Sequence, residues 1–439
     1  MRHSGPKIHS TAEKLKLAID AHRQGRLDEA EKIYRAVLKT QPSNPDALHF
    51  FGVLLHQRGR SSEAIARIER ALRMNPQYLD ARMNLGNIYK ETGDMAKAAA
   101  IYRKVLALEP EHAGAYNNLG VVLRKTGDLE ESVRMLQTAL SLAPDNADFL
   151  HNLGNSYQDQ NEIQKAAEVY LQSIALKPKQ KDAYESLWQM WHLKGQFDAA
   201  AEVLGKWLEV DPGSPIAKHY LSASIGADIP ERASDAYIQQ TFDGFAASFD
   251  EVLQRLDYRA PELTAQAVAE IFPEAQNRLF VLDAGCGTGL CGVYLKPYAR
   301  QLIGVDLSPA MLHKAQGRDL YDELAEAELV EYIGRYAAAF DLIVSADTLC
   351  YFGELRPFFG AAGKALKAGG CLVFTLEKIE DGERRDFKLN HHGRYSHDSD
   401  YVTQALEACG LTLLSRRTVV LRMERGEPVA GLLVTATVK

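Results

Sequence analysis

Five residues in one short stretch could do chemistry together. Asp283 is followed by glycines at Gly285, Gly287 and Gly289, and Asp306 lies 21 positions after Gly285. Glycine lets a backbone turn sharply and lets a ligand approach with no Cβ in the way. A carboxylate about 20 residues further on can accept both hydroxyls of a ribose. The elements that must position them can be read from the flanks. The apolar run Leu279 to Leu282 reads as a buried parallel strand, and a helical pattern starts near Leu290. Strand, glycine turn and helix are the form a nucleotide-like ligand needs. The spacing is not the dinucleotide fingerprint G-x-G-x-x-G, because position 290 is Leu and the third glycine falls at 289.

Asp-x-Gly-x-Gly-x-Gly resembles the first motif of class I S-adenosylmethionine-dependent methyltransferases. That donor has no pyrophosphate, so no anion needs a helix N-terminus. Asp283 just before the turn would hinder a pyrophosphate but suits an ammonium and a sulfonium. The resemblance implies a Rossmann-like α/β domain with a seven-stranded mixed sheet. It places Cys286, Leu307, Met311, Ser345 and Ala346 at the cofactor; as a helix residue, Met311 can equally be plain core. The short, acidic run Glu326 to Val330 reads as the third strand, and the resemblance also implies an acid there for the adenine amino group. Glu328 and Leu329, in Glu326-Ala-Glu-Leu-Val330, are the best match.

The rest of this half reads in order. Gln301 to Asp306 is a second strand, and Ser308 and Pro309 open a helix. The segment after the glycine turn reads as helix over 291–299. Phe340 to Ala346 is a fourth strand, helix 354–367 follows, and Cys371 to Glu377 is a fifth strand. A charged insertion from Lys378 to His397 precedes helix 398–409, and strands 411–422 and 429–438 close the sheet through a turn at Gly426.

Asp347 and Tyr351, just after strand four, and His397 in the insertion are the candidates for catalysis, with His397 as general base. A base is needed only where the acceptor is protonated. His391, His392 and His397 match no metal-ligand spacing, and no metal is expected. The absence of Asn-Pro-Pro-Tyr after strand four argues against amino-methylation of nucleic-acid bases.

The first half is a repeat array. Prolines recur every 34 residues from Pro42 to Pro212, glycines keep the same period from Gly25 to Gly195 with Asn161 in one slot, and small residues recur at Ala30, Ala64, Ala98, Ser132, Ala166 and Ala200. A further glycine series runs Gly52, Gly86, Gly120, Gly154. A 34-residue period with these positions resembles the tetratricopeptide repeat, a pair of helices per unit. Six units span 11–214, and 215–225 forms a closing helix. Asn84, Asn118 and Asn152 share one repeat position. They resemble the asparagine ladder of O-linked N-acetylglucosamine transferases, where amides hold a peptide backbone; they can equally be solvated consensus residues.

Composition bounds the rest. The chain has 439 residues, 46% hydrophobic and 25% charged, with a net charge of -7, so bulk charge does not suggest nucleic acid. All five cysteines lie in the second half with no Cys-x-x-Cys pair. No apolar leader or membrane span is evident, and a cytoplasmic location is expected.

Residues 1–10 read as a flexible N-terminus, 11–225 as the solenoid, 226–236 as a linker and 237–439 as the methyltransferase domain. Phe242, Phe245 and Phe249, at helical spacing, read as a core stripe or as a lid over the cofactor. The Phe-Asp repeats and the run Tyr258-Arg-Ala-Pro261 complete a resemblance to bacterial methyltransferases that carry tetratricopeptide repeats, over almost the whole chain. It implies that Tyr258 and Arg259 lie near the carboxylate of the cofactor's methionine part; the pair also suits a plain helix start. The function implied is methyl transfer from S-adenosylmethionine to an unidentified acceptor, with the array recruiting a protein or peptide. Two alternatives remain: a small-metabolite methyltransferase docked through its repeats, and a non-catalytic scaffold.

Overall fold

The computed structural model describes residues 10–380, 383 and 385–439. Most of the expected flexible N-terminus, residues 1–9, lies outside the described residues, and Ser10 already caps the first helix. The chain divides between Met190 and Trp191 into two compact units.

The first unit is built of helix pairs: Thr11–Arg23 with Leu27–Thr40, Pro45–Gln57 with Ser61–Met74, Leu79–Glu91 with Met95–Leu108, Ala113–Thr126 with Leu129–Leu142, and Ala147–Asp159 with Ile163–Leu176. The division falls inside the next helix, Lys181–Leu193. Each second helix stops two residues before its repeat proline, because a proline biases the preceding residue away from helix. The turn between paired helices needs positive φ, and Asn161 takes φ +62° where the other repeats have glycine. Gly86 and Gly154 let the helices meet, since a Cβ there would stand 2.6 and 2.5 Å from the Tyr102 and Tyr170 rings. The small repeat residues Ala30, Ala64, Ala98, Ser132 and Ala166 are wholly buried at the same contact.

The second unit begins with Phe197–Val210 and Pro215–Ile225, followed by Asp235–Phe245, Phe249–Arg255 and Ala260–Ile271. Its strands are β1 (Leu279–Ala284), β2 (Ala299–Asp306), β3 (Glu323–Glu326), β4 (Phe340–Ser345), β5 (Leu366–Lys378), β6 (Phe387–Leu389), β7 (Tyr395–His397), β8 (Leu411–Glu424) and β9 (Glu427–Val438). The order β3-β2-β1-β4-β5-β9-β8 makes a seven-stranded mixed sheet, parallel through β5 and antiparallel beyond it. The short β6–β7 hairpin, from the expected insertion, adds to the end of β5 through Glu377 and Lys378. Residues 381, 382 and 384 of that insertion lie outside the described residues.

Apolar side chains cover both faces of the sheet. Phe340, Phe358, Phe359, Phe374 and Tyr401 pack on one face, and Ala260, Val268, Val281, Leu302 and Val344 on the other. Strand order reverses between β1 and β4, so a crevice opens at their carboxyl ends, the place where such sheets take ligands.

Two local elements depart from expectation. The helix after the glycine turn is only Gly292–Leu295, because Ala299 and Arg300 are drawn into β2 beside Leu279. The third strand lies earlier, at Glu323–Glu326, where it pairs with Ile303 to Asp306; Glu328 instead caps the helix Leu329–Ile333 by accepting from Glu331 N. Among the described residues no helix is long and apolar enough to cross a membrane.

Candidate functional site

β1 leads into the glycine turn, which is clamped to β2 where the Gly285 and Cys286 N–H groups donate to Val305 O at 2.8 and 3.0 Å. The three glycines are required for different reasons. At Gly285 (φ +80°) a Cβ would stand 2.2 Å from Thr348 Oγ1; at Gly289 (φ +86°) it would press on the Tyr321 ring at 3.0 Å. Gly287 (φ +53°) has nothing within 4 Å of that position and borders open space. Asp306 closes the turn. Its Oδ2 accepts from Gly287 N and its Oδ1 from Ser308 N, both at 2.9 Å. Burial raises its pKa, and those backbone N–H groups oppose the rise.

The turn faces a cavity of about 340 Å³. Gly285, Cys286, Gly287, Asp306, Leu307 and Met311 line it on one side, with Glu328 and Leu329 beyond β2, and Ala346, Asp347 and Tyr351 line it beyond β4. Phe242, Phe245, Phe249 and Tyr258 border it from the helices that precede the sheet. Those helices are latched down by two aspartates. Asp243 Oδ1 accepts from Ser308 Oγ (2.5 Å) and Ala310 N (3.2 Å). Asp250 accepts from Thr288 Oγ1 (2.5 Å) and from Arg318 Nη2 (2.7 Å). The two Phe-Asp dipeptides thus turn their rings to the cavity and their carboxylates onto the glycine turn and the helix after β2.

Five expected residues are not brought to the cavity. Asp283 is buried beneath the turn, where its Oδ2 accepts from Tyr321 OH at 2.6 Å and burial raises its pKa to about 7. Gly289 packs on Tyr321, and Ser345 donates to Ala284 O. Arg259 precedes the helix Ala260–Ile271, and its N–H donates to Leu421 O; it does not line the cavity, whereas Arg394 and Arg422 do. His397 is the largest correction. It is 0% exposed, its Nε2 lies 3.1 Å from Gly353 O, and burial lowers its pKa to about 4. A side chain enclosed between β5 and the 349–353 segment has no path to a substrate proton.

Sequence reasoning missed a charge cluster at the far side of the cavity. Arg422 is 3% exposed and reaches three carboxylates: Asp347 (2.9 Å), Glu424 (2.7 Å) and Glu377. Arg394 donates to Glu377 at 2.6 Å and also reaches Glu424. Burial opposes ionisation of Glu377, yet Arg394 and Arg422 hold its pKa near 2. His392, 3.5 Å from Glu377, is pushed down to about 4 by burial and the neighbouring guanidiniums. These residues sit on β5, β8 and the β6–β7 hairpin, far apart in the chain, and no local motif marks them. Gly393 (φ +83°), at the tip of that hairpin, accepts a hydrogen bond at its carbonyl from His219 Nε2 (2.8 Å), and the His219 ring stacks on Tyr237 at 3.9 Å.

Two carboxylate oxygens on the cavity wall, Glu328 Oε1 and Asp347 Oδ1, are buried without a hydrogen-bond partner. Arg232 Nη1 stands 3.9 Å from Glu328 Oε1, beyond hydrogen-bond reach. Asp347 also takes φ +55°, a strained backbone for a residue with a Cβ.

In the first unit Asn84, Asn118 and Asn152 are half-buried, and each spends its amide donor on the preceding repeat. Asn84 meets His49 Nε2 at 2.8 Å, Asn118 meets Asn87 Oδ1 at 3.0 Å, and Asn152 meets Asn117 Oδ1 at 2.9 Å.

Comparison with known proteins adds to this geometry. Residues 282–372 match the family described as a methyltransferase domain. Residues 15–78, 51–108 and 151–215 match one tetratricopeptide-repeat family, and 111–179 match another. The biotin biosynthesis bifunctional protein BioHC of Saccharophagus degradans is 27% identical over 38% of this chain and 30% of its own. Methyltransferase-like protein 27 of Homo sapiens is 37% identical over 22% of this chain and 39% of its own. The 18S rRNA (guanine-N(7))-methyltransferase RID2 of Arabidopsis thaliana is 31% identical over 29% and 45%. The chain therefore spans less than half the length of these three relatives.

Proposed function

We propose that this chain, a methyltransferase domain joined to tetratricopeptide repeats, transfers a methyl group from S-adenosylmethionine to an acceptor that its repeat array helps recruit. The observation that carries the donor's identity is the pair of features on the β1–β3 side of the cavity. Gly287 leaves open the space a Cβ would fill, and Glu328 Oε1 is buried with no hydrogen-bond partner, Arg232 Nη1 standing 3.9 Å away. An adenine amino group supplies the missing donor at Glu328, and the ribose hydroxyls suit Asp306, whose oxygens keep unused lone pairs beside their backbone bonds. The turn is flanked by carboxylates, which disfavours a pyrophosphate and suits a cationic nucleoside.

The cofactor supplies a methyl group on a positively charged sulfur, an activated leaving arrangement. The chain's own contribution is placement and enclosure. Phe242, Phe245 and Phe249 exclude water from the cavity, and Asp243 and Asp250 hold their helices in place. Asp347 and Tyr351 stand at the end of β4, where the acceptor must come. Tyr351 serves as a wall, because burial pushes its phenol pKa well above the usual value and disfavours the phenolate.

The enclosed far side of the cavity also supports the second reading, a small-molecule acceptor. Turnover decides between them. The full chain is given labelled S-adenosylmethionine and a lysate fractionated by size, and Asp306→Asn serves as control. Label in a protein fraction supports recruitment by the repeats, and label confined to small molecules supports the second reading. No label in any fraction and no demethylated nucleoside would overturn both.

A further inference from the structure

The β4–β5–β8 side of the cavity is built differently from the side assigned to the nucleoside. Two guanidiniums, Arg394 and Arg422, face three carboxylates, Asp347, Glu377 and Glu424. Every nitrogen of Arg422 is already committed to one of these carboxylates. His392 adds no positive charge near neutral pH, because burial and the guanidiniums keep it unprotonated. Burial raises the Asp347 pKa and Arg422 opposes the rise. With Asp347 ionised the cluster carries one negative charge in excess, and the oxygen left without a hydrogen-bond partner is Asp347 Oδ1 on the cavity wall. A buried carboxylate oxygen that lacks a donor costs free energy until a ligand supplies one. Arg422 Nη1, donating to Asp347 Oδ2 (2.9 Å), fixes the carboxylate, and the Asp347 N–H, donating to Thr375 Oγ1 (2.8 Å), fixes the backbone at φ +55°. Tyr258 and Tyr351 line the same cavity, and tyrosine rings are among those that attract cations.

We propose that this side is the acceptor subsite and that it binds acceptors through an alkylammonium group placed against Asp347, with anionic acceptors disfavoured. Carboxylate-bearing acceptors meet arginines whose charge is already neutralised. An ammonium supplies the donor that Asp347 Oδ1 lacks and balances the excess charge. The proposal rests on the methyltransferase reading, since strand order puts this wall next to the nucleoside side.

The test uses the full chain and two probes of equal length and opposite charge, butylamine and butyrate. Each is titrated with and without saturating S-adenosylhomocysteine, and both heat and thermal transition are recorded. Butylamine is expected to bind saturably and raise the transition, and butyrate to do neither. In Asp347→Asn, butylamine affinity is expected to fall about tenfold while S-adenosylhomocysteine affinity changes less than about twofold. Butyrate binding, absence of butylamine binding, or equal butylamine affinity in the variant would overturn the proposal. A tenfold loss of S-adenosylhomocysteine affinity in the variant would do so too, because Asp347 would then hold the nucleoside's own ammonium. Butylamine binding at Asp347 in a chain that ignores S-adenosylhomocysteine would leave the subsite standing and sink the donor reading instead. The contrast between the two probes uses the unaltered chain, so a misfolded variant does not remove the test.

Discussion

At Gly287 the backbone takes φ +53° with no atom within 4 Å of where a Cβ would stand. At Gly285 the same step in space is blocked by Thr348 at 2.2 Å. The two glycines should therefore separate binding from folding. Gly287→Ala is expected to fold at a cost of about 1–2 kcal/mol from its positive φ and to weaken nucleoside binding at least tenfold, read by calorimetry. Gly285→Ala is expected to lose about 2–4 kcal/mol of stability in urea melts, from overpacking and backbone strain together. Two buried titrating residues give the domain opposite pH dependences. The folded-state pKa of His397, about 4, lies below the ordinary 6.5, so the unfolded chain takes the proton first. Stability from this residue is complete above pH 6.5 and falls as pH drops toward 4, by about 3 kcal/mol. Asp283, raised to about 7 by burial, binds its proton more tightly when folded, so its contribution falls as pH rises from 3.8 to 7. Thermal melts across pH 4–7 should show a flatter acid loss in His397→Gln and a steeper one in Asp283→Asn.

Among the elements, the helices Asp235–Phe245 and Phe249–Arg255 have the most explicit mechanical support. Asp243 and Asp250 join them to the residues that follow β1 and β2, through Ser308, Ala310, Thr288 and Arg318. Replacing both aspartates with alanine should raise amide exchange in 235–255 and leave the sheet protected. It should also weaken nucleoside binding, by about tenfold. Unchanged exchange in 235–255 would mean that packing of the phenylalanines alone holds these helices. These elements also show what the chain made legible. Gly285, Gly287, Asp306 and the phenylalanine stripe sit within local windows whose spacing carries their meaning, and they line the cavity, whereas Gly289 packs on Tyr321. The third strand was misplaced because Glu323–Glu326 is short and polar, with no apolar alternation, and only pairing with β2 identifies it. Arg394, Arg422, Glu377 and Glu424 were invisible for a different reason. Three non-consecutive segments bring them together, and charged residues on strands read as solvated until the sheet order is known. His397 reads as reactive in Arg394-Tyr-Ser-His397 because a sequence does not show burial.

Over the whole molecule, the 34-residue period and the glycine turn belong to two compact units that meet different physical demands. In the repeat unit, small residues and cross-repeat amide bonds hold successive helix pairs together. Asn84, Asn118 and Asn152 spend a donor on a neighbouring repeat, so they stabilise the array whatever else they touch. Changing all three to alanine is expected to cost the repeat unit about 2–3 kcal/mol and to leave nucleoside affinity unchanged. If melting is unaffected while capture of a peptide ligand is lost, their role is recognition alone. The most direct test of the central claim is calorimetry on the intact chain with S-adenosylhomocysteine, S-adenosylmethionine and NAD. Saturable heat is expected for both sulfur nucleosides, at least tenfold weaker in Asp306→Asn, with none for NAD. Heat for NAD and none for either sulfur nucleoside would contradict a cavity built for a methyl donor.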